Sequence, residues 1–217
     1  MKIRFKICCI QNVEEALLAA RYGASAVGLV SAMPSGPGPI PDEQIAAIVP
    51  HVPPGVATFL LTSLQDSASI IAQQRRTQAG TLQIVDEVST TTYAELRKDL
   101  PGISLVQVVH ILGRDSIDKA LAVAPHVDGL LLDSGNPSLS VKVLGGTGRV
   151  HDWSVSREIV RQSPKPVFLA GGLHPGNVRR AIETVEPYAV DVCSGVRTNG
   201  RLDEEKLRRF VEELQRK

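Results

Sequence analysis

The chain has 217 residues, 43% of them hydrophobic and 22% charged, with a formal net charge of +1. That length can bury one sizeable core, and the near-zero charge supplies no global field to draw in nucleic acid or a membrane surface. Aromatic residues make up 4%, too few for a base-stacking surface, and no run approaches the roughly 18 apolar residues of a membrane span.

Cys8, Cys9 and Cys193 are an odd set without C-x-x-C spacing, so neither a disulfide framework nor a zinc site is expected. The N-terminus is basic and then apolar. Its apolar run is too short for a secretory signal, and Gln11, Asn12, Glu14 and Glu15 follow at once, so a cytoplasmic protein is expected.

In chain order, residues 4–10 read as a first strand. Asn12 is set to cap a helix with Glu15 as its capping-box partner, and Gly23 ends that helix. Residues 26–30 are a second strand. Met33 to Pro39 is too dense in Pro and Gly for regular structure. A helix then runs from Pro41 to near His51, with a third strand over 55–61 and a polar-rich helix over 65–78. A fourth strand covers 81–85, a helix 90–99, a fifth strand 103–111, a helix 115–124 and a sixth strand 127–132. After a long loop come a helix over 153–162, a seventh strand over 166–170, a helix over 175–185 and an eighth strand over 188–193. The last helix, 203–215, places its acids early and its bases late, as the helix dipole prefers.

Short strands alternating with helices imply right-handed βαβ units and a parallel sheet. Eight regular units favour an α/β fold of (β/α)8 type, a TIM barrel spanning residues 1–217 as a single domain, over a doubly wound open sheet.

Barrels collect their chemistry at the carboxyl ends of the strands. Two loops there, Gly171-Gly172 and Ser194-Gly195, look like a phosphate cradle. Glycine lets backbone N–H groups approach an anion, and barrels often bind phosphate after strands seven and eight. The bland alternative is a pair of ordinary tight turns. Asp133 and Cys8 sit on strands across the barrel mouth and suit a general acid and a general base acting on a small substrate. Their bland alternatives are a loop anchor and a small buried hydrophobe. Gly145, Gly146, Thr147 and Gly148 lack the Lys of a P-loop and do not directly follow a strand, so they read as a lid. His110 is either a base or a polar plug, and the histidines show no metal-ligand spacing, so no metal is expected.

Together these residues resemble the phosphoribosylanthranilate isomerases, (β/α)8 enzymes of tryptophan biosynthesis. Lys6-Ile7-Cys8 followed by Ile10 resembles the family's KICGI opening, and Ala24 to Val30 its GADAxGFVF strand. Leu131 to Ser134, Gly145 to Gly148 and Asp152-Trp153 look like LLDS…GGTGxxFDW. Ala170 to Leu173 with Pro175, Asn177 and Val178 is similar to AGGLxPxNV, and Asp191 to Val196 to DVSSGVE. The resemblance implies an Amadori isomerisation of N-(5-phosphoribosyl)anthranilate to 1-(2-carboxyphenylamino)-1-deoxyribulose 5-phosphate, with no cofactor. It implies that Cys8 removes the C2 proton as general base and that Asp133 protonates the ring oxygen as general acid. Gly171, Gly172, Ser194 and Gly195 would hold the phosphate; Asp191, Arg197 and His110 are this chain's own candidate substrate contacts. The implied partner is a small phosphorylated sugar-amine, with the protein a monomer or homodimer.

Departures cluster where an aryl carboxylate would bind. The family's Ser-Pro-Arg after strand two is replaced by Pro34-Ser35-Gly36-Pro37, and its Gln-Leu-His-Gly on strand four by Gln83-Ile84-Val85-Asp86. Cys9 stands where the family has glycine, and Arg197 where it has glutamate. Arg197 or Arg149 is then the expected carboxylate partner. Two other readings stay open: a related barrel acting on another phosphorylated sugar or amine, and a non-catalytic barrel that binds a phosphometabolite or a protein.

Overall fold

The computed structural model describes residues 3–135 and 150–216. Eight parallel strands close into a barrel in sequence order: β1 (Arg4–Ile7), β2 (Ala26–Val30), β3 (Ala57–Thr62), β4 (Thr81–Ile84), β5 (Ser104–His110), β6 (Gly129–Asp133), β7 (Val167–Leu169) and β8 (Ala189–Val192). Between and after them run the helices α1 (Val13–Arg21), α2 (Asp42–Ile48), α3 (Ser67–Thr77), α4 (Thr90–Asp99), α5 (Asp115–Val123), α6 (Trp153–Gln162), α7 (Val178–Val185) and α8 (Glu204–Gln215). The expected (β/α)8 architecture is the observed one.

The strands are buried on both faces, so most of their residues are apolar. Along β6, Leu130 and Leu132 pack outward under the helices, while Leu131 joins the barrel interior with Phe59, Val106, Val108 and Phe168. The Phe59 and Phe168 rings meet edge to face at 5.8 Å and close the floor. Above that floor the interior turns polar, and the site begins there.

Three differences from the sequence reading have local causes. The first strand stops at Ile7 because Cys9 adopts φ +63°, a left-handed conformation that no strand continues through. The helix expected from Pro175 starts at Val178, since Asn177 folds back to accept from the His174 amide at 2.8 Å. A two-stranded hairpin, β9 (Arg197–Thr198) with β10 (Arg201–Leu202), follows β8. Its turn is Asn199-Gly200, both with positive φ, as a tight hairpin requires.

A fourth difference is a correction: Cys9 and Cys193 form a disulfide, with Cα atoms 6.0 Å apart across 184 residues of chain. Barrel closure explains it. Strand β1 pairs with β8, so the residues just beyond their carboxyl ends become neighbours. A crosslink between chain ends restricts the unfolded state most. Reduction with a dithiol is therefore expected to cost on the order of 3 kcal/mol and lower Tm by roughly 6–12 °C. Calorimetry with and without reductant checks this, and a non-reducing peptide map lacking the linked pair would overturn it.

Candidate active site

The ring order places β7 and β8 between β6 and β1. Asp133, at the end of β6, and Cys8, just past β1, therefore flank the two glycine turns. One pocket at the carboxyl end of the barrel is lined by all of these: Cys8, Asp133, Asp191, Gly171, Gly172 and Ser194.

Cys8 is buried and is the one cysteine outside the disulfide. Its neighbour below is Lys6, two residues earlier and so on the same inward face of β1. Lys6 is completely buried, and its Nζ lies 2.9 Å from Asp191 Oδ2 on the adjacent strand β8. The space for this pair comes from Gly28 on β2. A Cβ there would stand 2.9 Å from Cys8 Sγ and 3.0 Å from Lys6 Nζ. Burial pushes the Cys8 thiol up, Lys6 pulls it down and Asp191 pushes it up again, for a net value of about 11. Burial pulls Lys6 down, but Asp191 and then Cys8 more than offset it, and the net direction is up.

Asp133 is held by its neighbours in sequence and across the sheet. The Ser134 amide donates to its Oδ1 at 2.7 Å. Burial pushes its carboxyl above the ordinary range, the Ser134 amide pulls it back, and the net direction is up. Gly171, at φ +84°, leaves a gap between Asp133 and His151: a Cβ there would meet His151 Nδ1 at 2.9 Å and Asp133 Oδ1 at 3.2 Å. His151 Nε2 lies 2.7 Å from Ser156 Oγ, and burial pulls the imidazole down to about 4, so it is neutral near pH 7.

The two glycine turns are braced against each other. Asn177 Nδ2 donates to the Gly172 carbonyl at 2.9 Å, which fixes the turn after β7. Gly195, in the 3₁₀ turn after β8, presses so closely on Leu173 and His174 that any Cβ would overlap them. Gly195 does not line the pocket.

Two expected substrate contacts lie elsewhere. Arg197 is buried against the barrel wall: its guanidinium pairs with Glu15 at 3.0 Å and donates to the carbonyls of Cys8, Cys9 and Gly200. It is a strut under Cys8 and is committed away from any aryl carboxylate. The reason is Glu15, which the cap of α1 aims inward at the hairpin, where it also accepts from the Leu202 amide at 2.9 Å. His110 shares a register with Asp133 but faces a neighbouring cavity lined by Asp86, Tyr93 and His126, and its Nε2 lies 3.1 Å from the Val85 carbonyl. Gly145, Gly146, Thr147, Gly148 and Arg149 lie outside the described residues.

Sequence reasoning missed Lys6, Gln83 and His151 as site residues. Gln83 lines the pocket floor, and its Oε1 is buried with no hydrogen-bond partner, as are Asp191 Oδ1 and His151 Nδ1. Such atoms cost free energy until a ligand meets them. The signal for Lys6 was present: a lysine at an inward position of a core strand, opposite a strand glycine. Among the described residues lining the pocket there is no arginine or lysine; Val30, Met33 and Pro37 form an apolar side instead.

Comparison with known proteins adds to this geometry. The family model described as N-(5'phosphoribosyl)anthranilate (PRA) isomerase matches residues 5–213. A relative from Methanosarcina mazei, N-(5'-phosphoribosyl)anthranilate isomerase 2, is 37% identical over 96% of this chain and 92% of its own. The structure of phosphoribosyl anthranilate isomerase from Thermotoga maritima superposes with a TM-score of 0.83, at 30% identity over 98% of each chain. A phosphoribosyl anthranilate isomerase solved with reduced 1-(o-carboxyphenylamino)-1-deoxyribulose 5-phosphate superposes at 0.81, with 28% identity over 98% of each chain. The chain belongs to the N-(5'-phosphoribosyl)anthranilate isomerase family.

Proposed function

We propose that the pocket between Cys8 and Asp133 isomerises N-(5'-phosphoribosyl)anthranilate, with Asp133 as general acid and Cys8 as general base. The observation that carries the roles is one pocket lined by a half-buried carboxyl and a buried thiol, with two glycine turns on the arc between them. The turns after β7 and β8 hold the phosphate through backbone N–H groups. The apolar side formed by Val30, Met33 and Pro37 takes the aryl ring, and Asp191 Oδ1 and Gln83 Oε1 accept from sugar hydroxyls.

Asp133 gives its proton to the ring oxygen as the C1–O bond breaks, leaving an iminium at C1. The Cys8 thiolate takes the C2 proton, forming an enolamine. Cys8 then returns a proton to C1, and the enol hydroxyl gives one to Asp133 as the C2 ketone forms. Both residues end as they began, so no co-reactant is consumed. The sequence expectation of a cytoplasmic enzyme of tryptophan biosynthesis remains our reading.

The roles fix the pH profile. The active form needs Asp133 protonated, which burial favours, and Cys8 ionised, which burial disfavours. Between the two pKa values, the gain in thiolate with rising pH cancels the loss of carboxylic acid, so kcat/KM is level. It falls tenfold per pH unit below the raised Asp133 value and again above about 11, the Cys8 value. A steady-state profile checks this; a decline centred near 9.0, the ordinary thiol value, would count against Cys8 as the base.

A further inference from the structure

Lys6 is unused by the mechanism above, yet the side chains beside it hold it as a cation against its burial. Asp191 Oδ2 is 2.9 Å from Nζ, and the Phe59 ring centroid lies 5.4 Å away. Gly28 on β2 leaves the space that both Cys8 and Lys6 occupy. A buried ion pair is a poor way to gain stability, because apolar residues of similar volume often serve as well or better. Packing alone therefore does not account for an ammonium in a barrel core otherwise closed by Phe59 and Phe168.

We propose that Lys6 is the positioning residue of the base: held by Asp191, its ammonium lies beneath Cys8 and stabilises the thiolate that takes the substrate proton. The proposal rests on the reading of Cys8 as base. Lys6 touches no substrate and acts through Cys8. The charged groups that face the thiol are Lys6 on β1 and Asp191 on β8, of opposite sign, with Asp133 on β6 acting on Asp191 in turn. Asp191 thus has two effects: it fixes the ammonium and tempers it. When a sugar hydroxyl donates to the free Oδ1, Asp191 tempers less, and the thiolate is favoured as the substrate arrives.

The test is the pH dependence of Cys8 alkylation by iodoacetamide in the disulfide-intact protein, where Cys8 is the one free thiol. Lys6→Gln is expected to raise the apparent thiol pKa by about one unit or more, leaving about tenfold less thiolate at a given pH, with a matching fall in kcat. Lys6→Arg should stay near the parent protein. Asp191→Asn should move the thiol the other way, downward. Opposite shifts from the two partners of one ion pair are the electrostatic signature, since mere loosening of the barrel moves both variants in one direction. Shifts of the same sign, or none, overturn the proposal. If Lys6→Gln does not fold, Lys6→Met takes its place in the comparison, and an upward or absent shift in Asp191→Asn overturns the proposal. Full turnover by Cys8→Ser would instead remove the base assignment while leaving the alkylation result intact.

Discussion

Replacing Cys8 by serine, or Asp133 by asparagine, is expected to lower turnover of N-(5'-phosphoribosyl)anthranilate by about 10²–10⁴-fold each, the range for a positioned proton-transfer group. In the proposed roles the pair acts as a unit across one pocket, so the double variant should cost little more than the worse single one. The two variants should differ in stability. Asp133 is a carboxyl that burial pushes upward, so its charged form is disfavoured in the folded protein. The sign follows: its contribution to stability is full below the unfolded value of 3.8 and is lost as pH rises through the higher folded value. Near neutral pH, Asp133→Asn should therefore be more stable than the parent by about 1 kcal/mol, a Tm gain of roughly 2–4 °C. Cys8→Ser trades a buried thiol for a better-solvated hydroxyl and should not gain. Fluorescence loss of the substrate measures the first effect and calorimetry the second. Turnover near the parent rate in either variant would remove the mechanism. A destabilised Asp133→Asn would instead mean that the Ser134 amide outweighs burial at that carboxyl.

The β/α alternation was legible because the strands are mostly apolar runs and the helices are capped by local signals. Asn12, Asp66, Ser89 and Asp152 each accept a backbone N–H at the start of the helix they precede. Cys8, Asp133 and the glycine turns were legible for the same reason, since position at a strand end follows from the strand. What failed depends on contacts between residues far apart in the chain. Arg197 read as a free cation because nothing in its segment shows Glu15, 182 residues earlier, waiting to pair with it. The Cys9–Cys193 disulfide needs barrel closure to be seen. The clue at Cys9 was chemical: a residue with a side chain stands where the family motif has glycine, and the structure holds it at φ +63°. That conformation costs about 1–3 kcal/mol for a residue with a Cβ, and the disulfide and the close packing of Gly38 over Cys9 hold it there. The Asn199-Gly200 hairpin was a local signal left unread.

The second large effect expected is at Gly195. Alanine there is expected to lower kcat/KM by about 100-fold, chiefly through KM, and to abolish stabilisation by inorganic phosphate. Its Cβ would be driven into the Leu173 carbonyl oxygen and would stand 2.9 Å from His174 Cα. These are backbone and near-backbone atoms, and the turn that carries them is braced by Asn177 through the Gly172 carbonyl, so it has little freedom to retreat. The overlap is relieved by parting the turns after β7 and β8. Overpacking of this kind costs about 1–3 kcal/mol, which a barrel of this size survives. An anion site built from backbone N–H groups on two loops does not tolerate it, because a shift of about 1 Å at a positioned group is worth about 100-fold. In the parent protein, phosphate at a hundredfold excess over its Kd should add about 2.7 kcal/mol and raise Tm by roughly 5–10 °C. The alanine variant should show a normal fold by circular dichroism, a modestly lower Tm and no phosphate shift. An unchanged KM together with an intact phosphate shift would mean that the two turns do not form the phosphate site, and that Gly195 serves only to let one loop pass under the other.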